Sequence, residues 1–410
     1  MYEDLPKLWT RSFILLCLSA FFFFTAHHSV YSILSLYFHE QKLDRFISNQ
    51  GLIIAAFTIA SLLSRPFAGA ICDGLYDSKN TGSFIILSGV VFSLSSLSYA
   101  FVSSSLYAML AIRILHGVGM GFFYTSITVM LAKLVPPQRK AEAISHFGNS
   151  IKFAMFLGPP MGITLVTGGY FPFWVFVVSA LLSLLAVIFI ASSATKVNFS
   201  CPTRSEVGGR KMHKLFFTTS SLIPGITMGA NSIAFGCLIP FAPLLAEQKG
   251  ISDAAKWFYI FYGITLILSR ALFGKLADRY SKLVTVVPGM LFVSISLLFI
   301  AKSDSVLLFI LGSAMYGLAS GVVQPALMAQ SVEISRPNEL GRAMATFSML
   351  NDIGIAFGSF LMGTLAIRIG TTYSLLMVSF LVIVGLVFYV ACGKRKDVLI
   401  PFLAQTLKRN

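Results

Sequence analysis

The chain has 410 residues, 56% of them hydrophobic and only 11% charged, with a formal net charge of +15 and a mean hydropathy of +0.81. Soluble domains carry about a quarter charged residues, so the composition excludes one and points to repeated passage through a bilayer. The positive excess would suit nucleic acid, but its placement along the chain assigns it to membrane topology instead.

Twelve apolar runs approach the ~20 residues that cross a bilayer as helix. The first, 12–38, carries a polar stripe at helical spacing, His28, Tyr31, Ser32 and Ser35. His28 and Tyr31 are candidates for a substrate path, while the adjacent His27 is expected to pack against a neighbour. The second run, 46–70, leads into Ser64, Arg65, Gly69 and Asp73. After 83–103, the fourth run, 106–133, holds Arg113, His116, Met120 and Tyr124, with Gly117, Gly119 and Gly121 between them. The fifth, 140–167, carries Asn149, Lys152 near the midplane, and Gly158-Pro159-Pro160-Met161-Gly162. Proline there removes a backbone donor and predicts a kink. The sixth run is 171–193.

Residues 194–214 form the longest polar stretch and read as a cytoplasmic linker between a first domain, 1–193, and a second, 215–410. The second domain opens with 215–245, which holds Asn231, and 254–275, which leads into Ser269, Arg270, Gly274, Asp278 and Arg279. Runs 283–301 and 305–332 follow, the latter with Gly317, Gly321, Gln324 and Pro325. Asn351 and Asp352 lie in 340–366, and Asp352 is the one carboxylate expected at mid-membrane depth. The last run, 372–392, precedes a short tail.

The two domains echo one another. Ser-Arg-x3-Gly-x3-Asp occurs twice, 205 positions apart, and Gly117/Gly121, Asn149 and Glu40-Gln41-Lys42 recur as Gly317/Gly321, Asn351 and Glu247-Gln248-Lys249. The pattern predicts an all-α integral membrane protein, with 12 transmembrane helices as two pseudo-symmetric six-helix bundles. Of 31 Lys and Arg, only Lys42, Arg45, Lys249, Lys256, Lys302 and Arg368 fall at one face, with Arg113 and Lys152 inside the runs. The rest share the other face, which places both termini in the cytoplasm. Trp9, Trp174 and Trp257 lie at run ends, where amphipathic rings sit in the headgroup layer. The five cysteines have no metal-ligand spacing. Metal triad, nucleophile elbow and phosphate loop are all missing, so no enzyme is expected.

A charge at the bilayer centre costs ~2.5–3.5 kcal/mol on insertion scales, so polar residues within the runs are the sharper signals. Lys152 and Arg113 would attract an anionic group. Asp352 is the foremost candidate for proton coupling, with Arg113 joining it and His28 and His116 also able to carry a proton. The repeated aspartates would meet helix N-termini of the opposite domain. Arg65, Gly69, Asp73, Arg270, Gly274, Asp278 and Arg279 are therefore the expected gating set.

These residues resemble the major facilitator superfamily over essentially the whole chain. Gly69 and Asp73, with Gly274, Asp278 and Arg279, fit its loop signature. Arg113 with Gly117, Gly119 and Gly121 fits its fourth-helix signature. Gly148 with Gly158-Pro159-Pro160-Met161-Gly162, after Val135-Pro136-Pro137-Gln138-Arg139, resembles its drug- and siderophore-efflux branch, although Ile163 stands where a second glycine is usual. The resemblance implies that the first, fourth, seventh and tenth helices line a cavity. That makes His28, Tyr31, Arg113, His116, Tyr124, Asn231 and Gln324 wall candidates, with Asn149, Lys152 and Asn351 nearby. It also implies a secondary transporter acting by alternating access, expected as a monomer in a bacterial inner membrane. The expected activity is proton-coupled export of a small amphiphilic or anionic compound such as a drug, metallophore or metabolite. The partners are then a small-molecule substrate and the lipid bilayer, with no nucleic acid and no cofactor besides the proton gradient. A sugar or organic-solute importer of the same fold is the alternative, and a non-transporting sensor or scaffold a second.

Overall fold

The computed structural model describes residues 7–40, 47–71, 78–102, 105–136, 139–168, 172–194, 218–279, 282–335 and 340–393, and among them helices are the regular elements, with no strand. Twelve helices follow in order: α1 (Arg11–Glu40), α2 (Ile47–Ala70), α3 (Ser78–Ser98), α4 (Leu106–Leu134), α5 (Lys140–Thr167), α6 (Pro172–Ala194), α7 (Leu222–Leu238), α8 (Ala242–Gln248), α9 (Ala254–Arg279), α10 (Lys282–Ala301), α11 (Val306–Glu333) and α12 (Leu340–Gly393). Asp73 and most of the linker lie outside the described residues.

Two helices depart from the run boundaries, each for a local reason. The seventh run is two helices, α7 and α8, bent by 50° at a short break. Pro240 cannot donate to the turn before it, and Pro243 sits in the first turn of α8. The Tyr259 hydroxyl of α9 donates to the Ile239 carbonyl released there. Conversely, the eleventh and twelfth runs form the two arms of α12, divided only at Gly370 with φ 81° and ψ 159°. That conformation is open almost solely to glycine.

Packing separates two units, Met1–Phe46 with Ala56–Gly208, and Ile47–Ala55 with Gly209–Asn410. In the first, α1 packs on α5 and α6, and α3 on α4 and α6. In the second, α7 packs on α12, and α11 on α9 and α10. Without a hydrophobic drive between helices in lipid, such seams rely on close backbone approach over small residues. The duplicated glycines supply it. Gly121 faces Ser61 and Ser64 of α2, and Gly321 faces Leu266 and Ser269 of α9. The serine of each Ser-Arg pair therefore packs against the matching glycine, its hydroxyl returned to its own helix at Ser61 or Leu266. Trp9, Trp174 and Trp257 are all exposed.

Candidate functional site

The first unit buries a charged centre. Arg113 of α4 is wholly inaccessible, and its guanidinium lies 4.7 Å from the Phe57 ring centre. A desolvated cation over an aromatic face gains ~2 kcal/mol or more, which offsets part of a desolvation cost of several. Arg113 Nη1 also donates to the Tyr99 hydroxyl at 3.4 Å, and that hydroxyl is 3.1 Å from His116 Nδ1. The Tyr99 hydroxyl, accepting from Arg113, donates to Nδ1 or accepts from it according to the His116 tautomer. His27 stacks on Phe57 at 4.8 Å, and Tyr31 and His116 lie against it at 5.5 and 6.5 Å. His27 Nδ1 and His116 Nε2 are buried without hydrogen-bond partners among the described residues. Arg113 and His116 thus sit in the bundle interior rather than on an open wall.

Other expected residues gather beside it. His28 is 8% exposed, and Lys152 of α5 is half-buried. Tyr124 packs edge-on against Phe24, and Arg65 lies over Tyr124 at 5.6 Å. An expected gating residue and an expected wall residue are therefore neighbours. Asn149 is exposed on α5, one turn before Lys152. Gly158 and Gly162 bring α5 against Thr25, His28 and Ser29 of α1, and α5 remains helical through Pro159 and Pro160. A Cβ at Gly69 would meet nothing within 4 Å among the described residues. Arg270, Gly274, Asp278 and Arg279 fall in the last turns of α9, so the second copy of the repeated pattern ends in helix.

The second unit holds the carboxylate. Asp352 of α12 is 8% exposed, and Asn351 Nδ2 donates to its Oδ1 at 3.1 Å. Ser232 of α7 donates to Asn351 Oδ1 at 2.8 Å, which fixes the amide's orientation. Asn231 is buried next to Ser232, its Oδ1 without a partner among the described residues, and Gln324 is half-buried on α11. No group of three metal-ligating side chains occurs among the described residues. The Arg113 centre is not duplicated: the residue 200 positions on is Ser313, and the matching space holds a Tyr262–Tyr316 stack at 5.4 Å.

Sequence reasoning passed over Tyr99, Phe57, Phe24 and Ser232. Tyr99 and Phe57 are ordinary aromatics of apolar runs, and only tertiary packing turns them towards a charge. Ser232 had a signal, since it directly follows Asn231.

The family model for the Major Facilitator Superfamily matches residues 6–214 and 225–405. The chain belongs to this superfamily. It is a secondary transporter and an integral membrane protein, with a small-molecule substrate and a lipid environment. Relatives include Multidrug resistance protein 2 of Bacillus subtilis, 24% identical over 85% of this chain and 88% of that protein. The MFS-type transporter YhhS of Escherichia coli O6:H1 is 25% identical over 87% and 86%. Among solved structures, the human organic anion transporter MFSD10 superposes with a TM-score of 0.66 at 17% identity, covering 94% of this chain and all of that one. The nucleoside transporter NupG gives 0.74 at 14% identity, covering 93% and 100%. These last two likenesses concern the fold alone.

Proposed function

We propose that this transporter exports a small amphiphilic or anionic compound in exchange for protons. The observation that carries the proposal is Asp352, a carboxylate buried on α12 that accepts from Asn351, whose amide is itself oriented by Ser232. Taking up a proton removes its charge and most of the cost of keeping it away from water. Its protonation is therefore linked to the hydration of its surroundings, which alternating access changes. Lys152, half-buried on α5, favours a ligand with negative charge. The name of the Bacillus relative, a resistance protein, supports export.

Everted membrane vesicles test direction and charge together. With an interior made acidic relative to the medium, aromatic carboxylates, catecholates and hydroxycarboxylates are offered separately. Accumulation of at least one, dependent on the chain and abolished by dissipating the gradient, is expected. Accumulation only with the gradient reversed would make the protein an importer. Accumulation of cations alone would refute the anionic cargo.

A further inference from the structure

We propose that Ser232 of α7 is a positioning residue for proton exchange at Asp352: by donating to Asn351 it decides which half of that amide meets the carboxylate, and so how readily the proton is taken up. The inference rests on the reading of Asp352 as the coupling group and adds the part that a second helix plays in it.

The chain of donors crosses one helix seam. Ser232 Oγ donates to Asn351 Oδ1 at 2.8 Å, and Asn351 Nδ2 donates to Asp352 Oδ1 at 3.1 Å. Backbone contacts close the seam on either side, Gly354 against the Gly229 carbonyl and Gly236 against the Ile355 carbonyl. Ser232 falls between them and is 1% exposed, so its hydroxyl is not drawn off to water. Other hydrogen bonds of this seam end on the backbone. The Cys237 thiol donates to the Gly358 carbonyl and the Ser359 hydroxyl to the Gly236 carbonyl, both at 2.9 Å. Those fasten two helices together. The bond from Ser232 ends instead on a side chain that reaches on to the carboxylate.

A carboxamide has one accepting and one donating half, with opposite effects on Asp352. The NH2 half favours the charged carboxylate, whereas the oxygen half, turned round, would repel it and accept from the protonated acid. Because the Ser232 hydroxyl donates to Oδ1, the NH2 half is the one presented, and polarisation along the chain strengthens it as a donor. α7 itself, Leu222–Leu238, carries no charged residue that could act on Asp352 directly. The other described titratable groups on elements packed with α12 are engaged elsewhere. Cys237 of α7 bonds to Gly358, Tyr316 of α11 stacks on Tyr262, Glu333 of α11 pairs with Lys282 of α10 at 3.0 Å, and Tyr389 of α12 donates to Gln330. Arg368 and Tyr373 flank Gly370, roughly 24 Å along the helix from Asp352, and Cys392 ends the second arm. Residues 47–55 of α2 include no titratable side chain.

Infrared spectroscopy of the purified full-length protein in lipid nanodiscs tests this without a cargo. Protonated carboxyl groups show a distinct C=O stretch, and the pH-dependent component missing from Asp352→Asn belongs to Asp352. Ser232→Ala should move that component's midpoint to higher pH by about half to one unit, or about three- to tenfold in proton affinity, the effect of weakening one hydrogen bond to a charged group. Ser232→Thr keeps a hydroxyl and should keep the wild-type midpoint. The amide bands of the same spectra check that each variant retains its helices. Asn351→Ala should shift the midpoint likewise, and adding Ser232→Ala to it should shift it no further, because a residue acting through Asn351 then has nothing left to act on. A serine that only packed the seam would add its effect in both backgrounds. An unchanged midpoint in Ser232→Ala, or an equal shift with and without Asn351, overturns the proposal and leaves coupling at Asp352 standing. If Asp352→Asn removes no component, Asp352 exchanges no proton, and the coupling falls together with the role of Ser232.

Discussion

Gly158 sits where α5 crosses α1, and a methyl group placed there measures how tightly that seam is closed. Its Cβ would lie 2.8 Å from the Thr25 carbonyl oxygen, 2.9 Å from His28 Cβ and 3.2 Å from the Ser29 nitrogen. Ordinary contact begins near ~3.5 Å, so the two backbones would have to part by roughly half an ångström. Gly148 lies in the same helix, and among the described residues a Cβ there meets nothing within 4 Å. Alanine relieves the helix-interior cost of glycine by ~1 kcal/mol at Gly148, and by less at Gly158, where a Cβ also crowds the Pro159 ring. The difference between the two variants therefore reports crowding at Gly158, against α1 and Pro159 together. Overpacking costs about 1–3 kcal/mol, which at about 2 °C per kcal/mol places the unfolding midpoint of Gly158→Ala about 2–6 °C below that of Gly148→Ala. Heating in detergent followed by gel filtration of the surviving monodisperse protein reads that difference. Equal midpoints would show that the seam has slack and that its glycine serves no close approach.

Three further substitutions probe other parts of the fold. Tyr99→Phe removes the hydroxyl between Arg113 and His116; leaving both short of a partner should cost about 1–3 kcal/mol, and an unchanged midpoint would contradict the hydrogen-bonded chain. Gly370→Ala forces a side chain into a conformation with φ 81° and should cost about 1–3 kcal/mol, which the same assay checks. Lys249 donates to the carbonyls of Ala301 and Ser303 at the end of α10, and burial lowers its pKa, with Asp304 opposing. A lowered value in the folded state means that the unfolded chain holds the proton more tightly. Stability from this group is thus present above the ordinary lysine range and lost as pH falls through the depressed value. The wild-type midpoint should accordingly rise relative to Lys249→Met on going from neutral pH towards that range, and parallel curves would refute it.

Much of the architecture was legible because lipid enforces it. Hydropathy located the helices, since backbone polar groups in a bilayer must be satisfied within each segment. The repeated glycines anticipated the α2–α4 and α9–α11 seams, because close approach in lipid depends on small residues. The break at Ile239 was less legible: Pro240 and Pro243 mark it, yet the apolar run continues across them. The continuity of α12 hangs on one backbone conformation at Gly370 that hydropathy does not register. At the candidate sites, composition singled out Arg113, Lys152 and Asp352, because charge in an apolar run is rare. It gave no means of ranking their exposure, which depends on which neighbours cover them. Arg113 is enclosed by Tyr99 and Phe57, whereas Lys152 is half-buried. Arg65 was read through the repeated pattern as part of a gate. Its place over Tyr124 comes from the α2–α4 contact, which links positions far apart in the chain.

Proton counterflow in proteoliposomes bears most directly on the transport cycle. The lumen holds a pH-sensitive dye and no gradient is imposed; an anionic amphiphile that the everted vesicles accumulate is added on one side. Proton exchange at Asp352 requires the lumen pH to change in the direction opposite to ligand movement, and requires Asp352→Asn to abolish that change while ligand exchange across the membrane persists. Ligand movement without any pH change, or a pH change undiminished in Asp352→Asn, would contradict it.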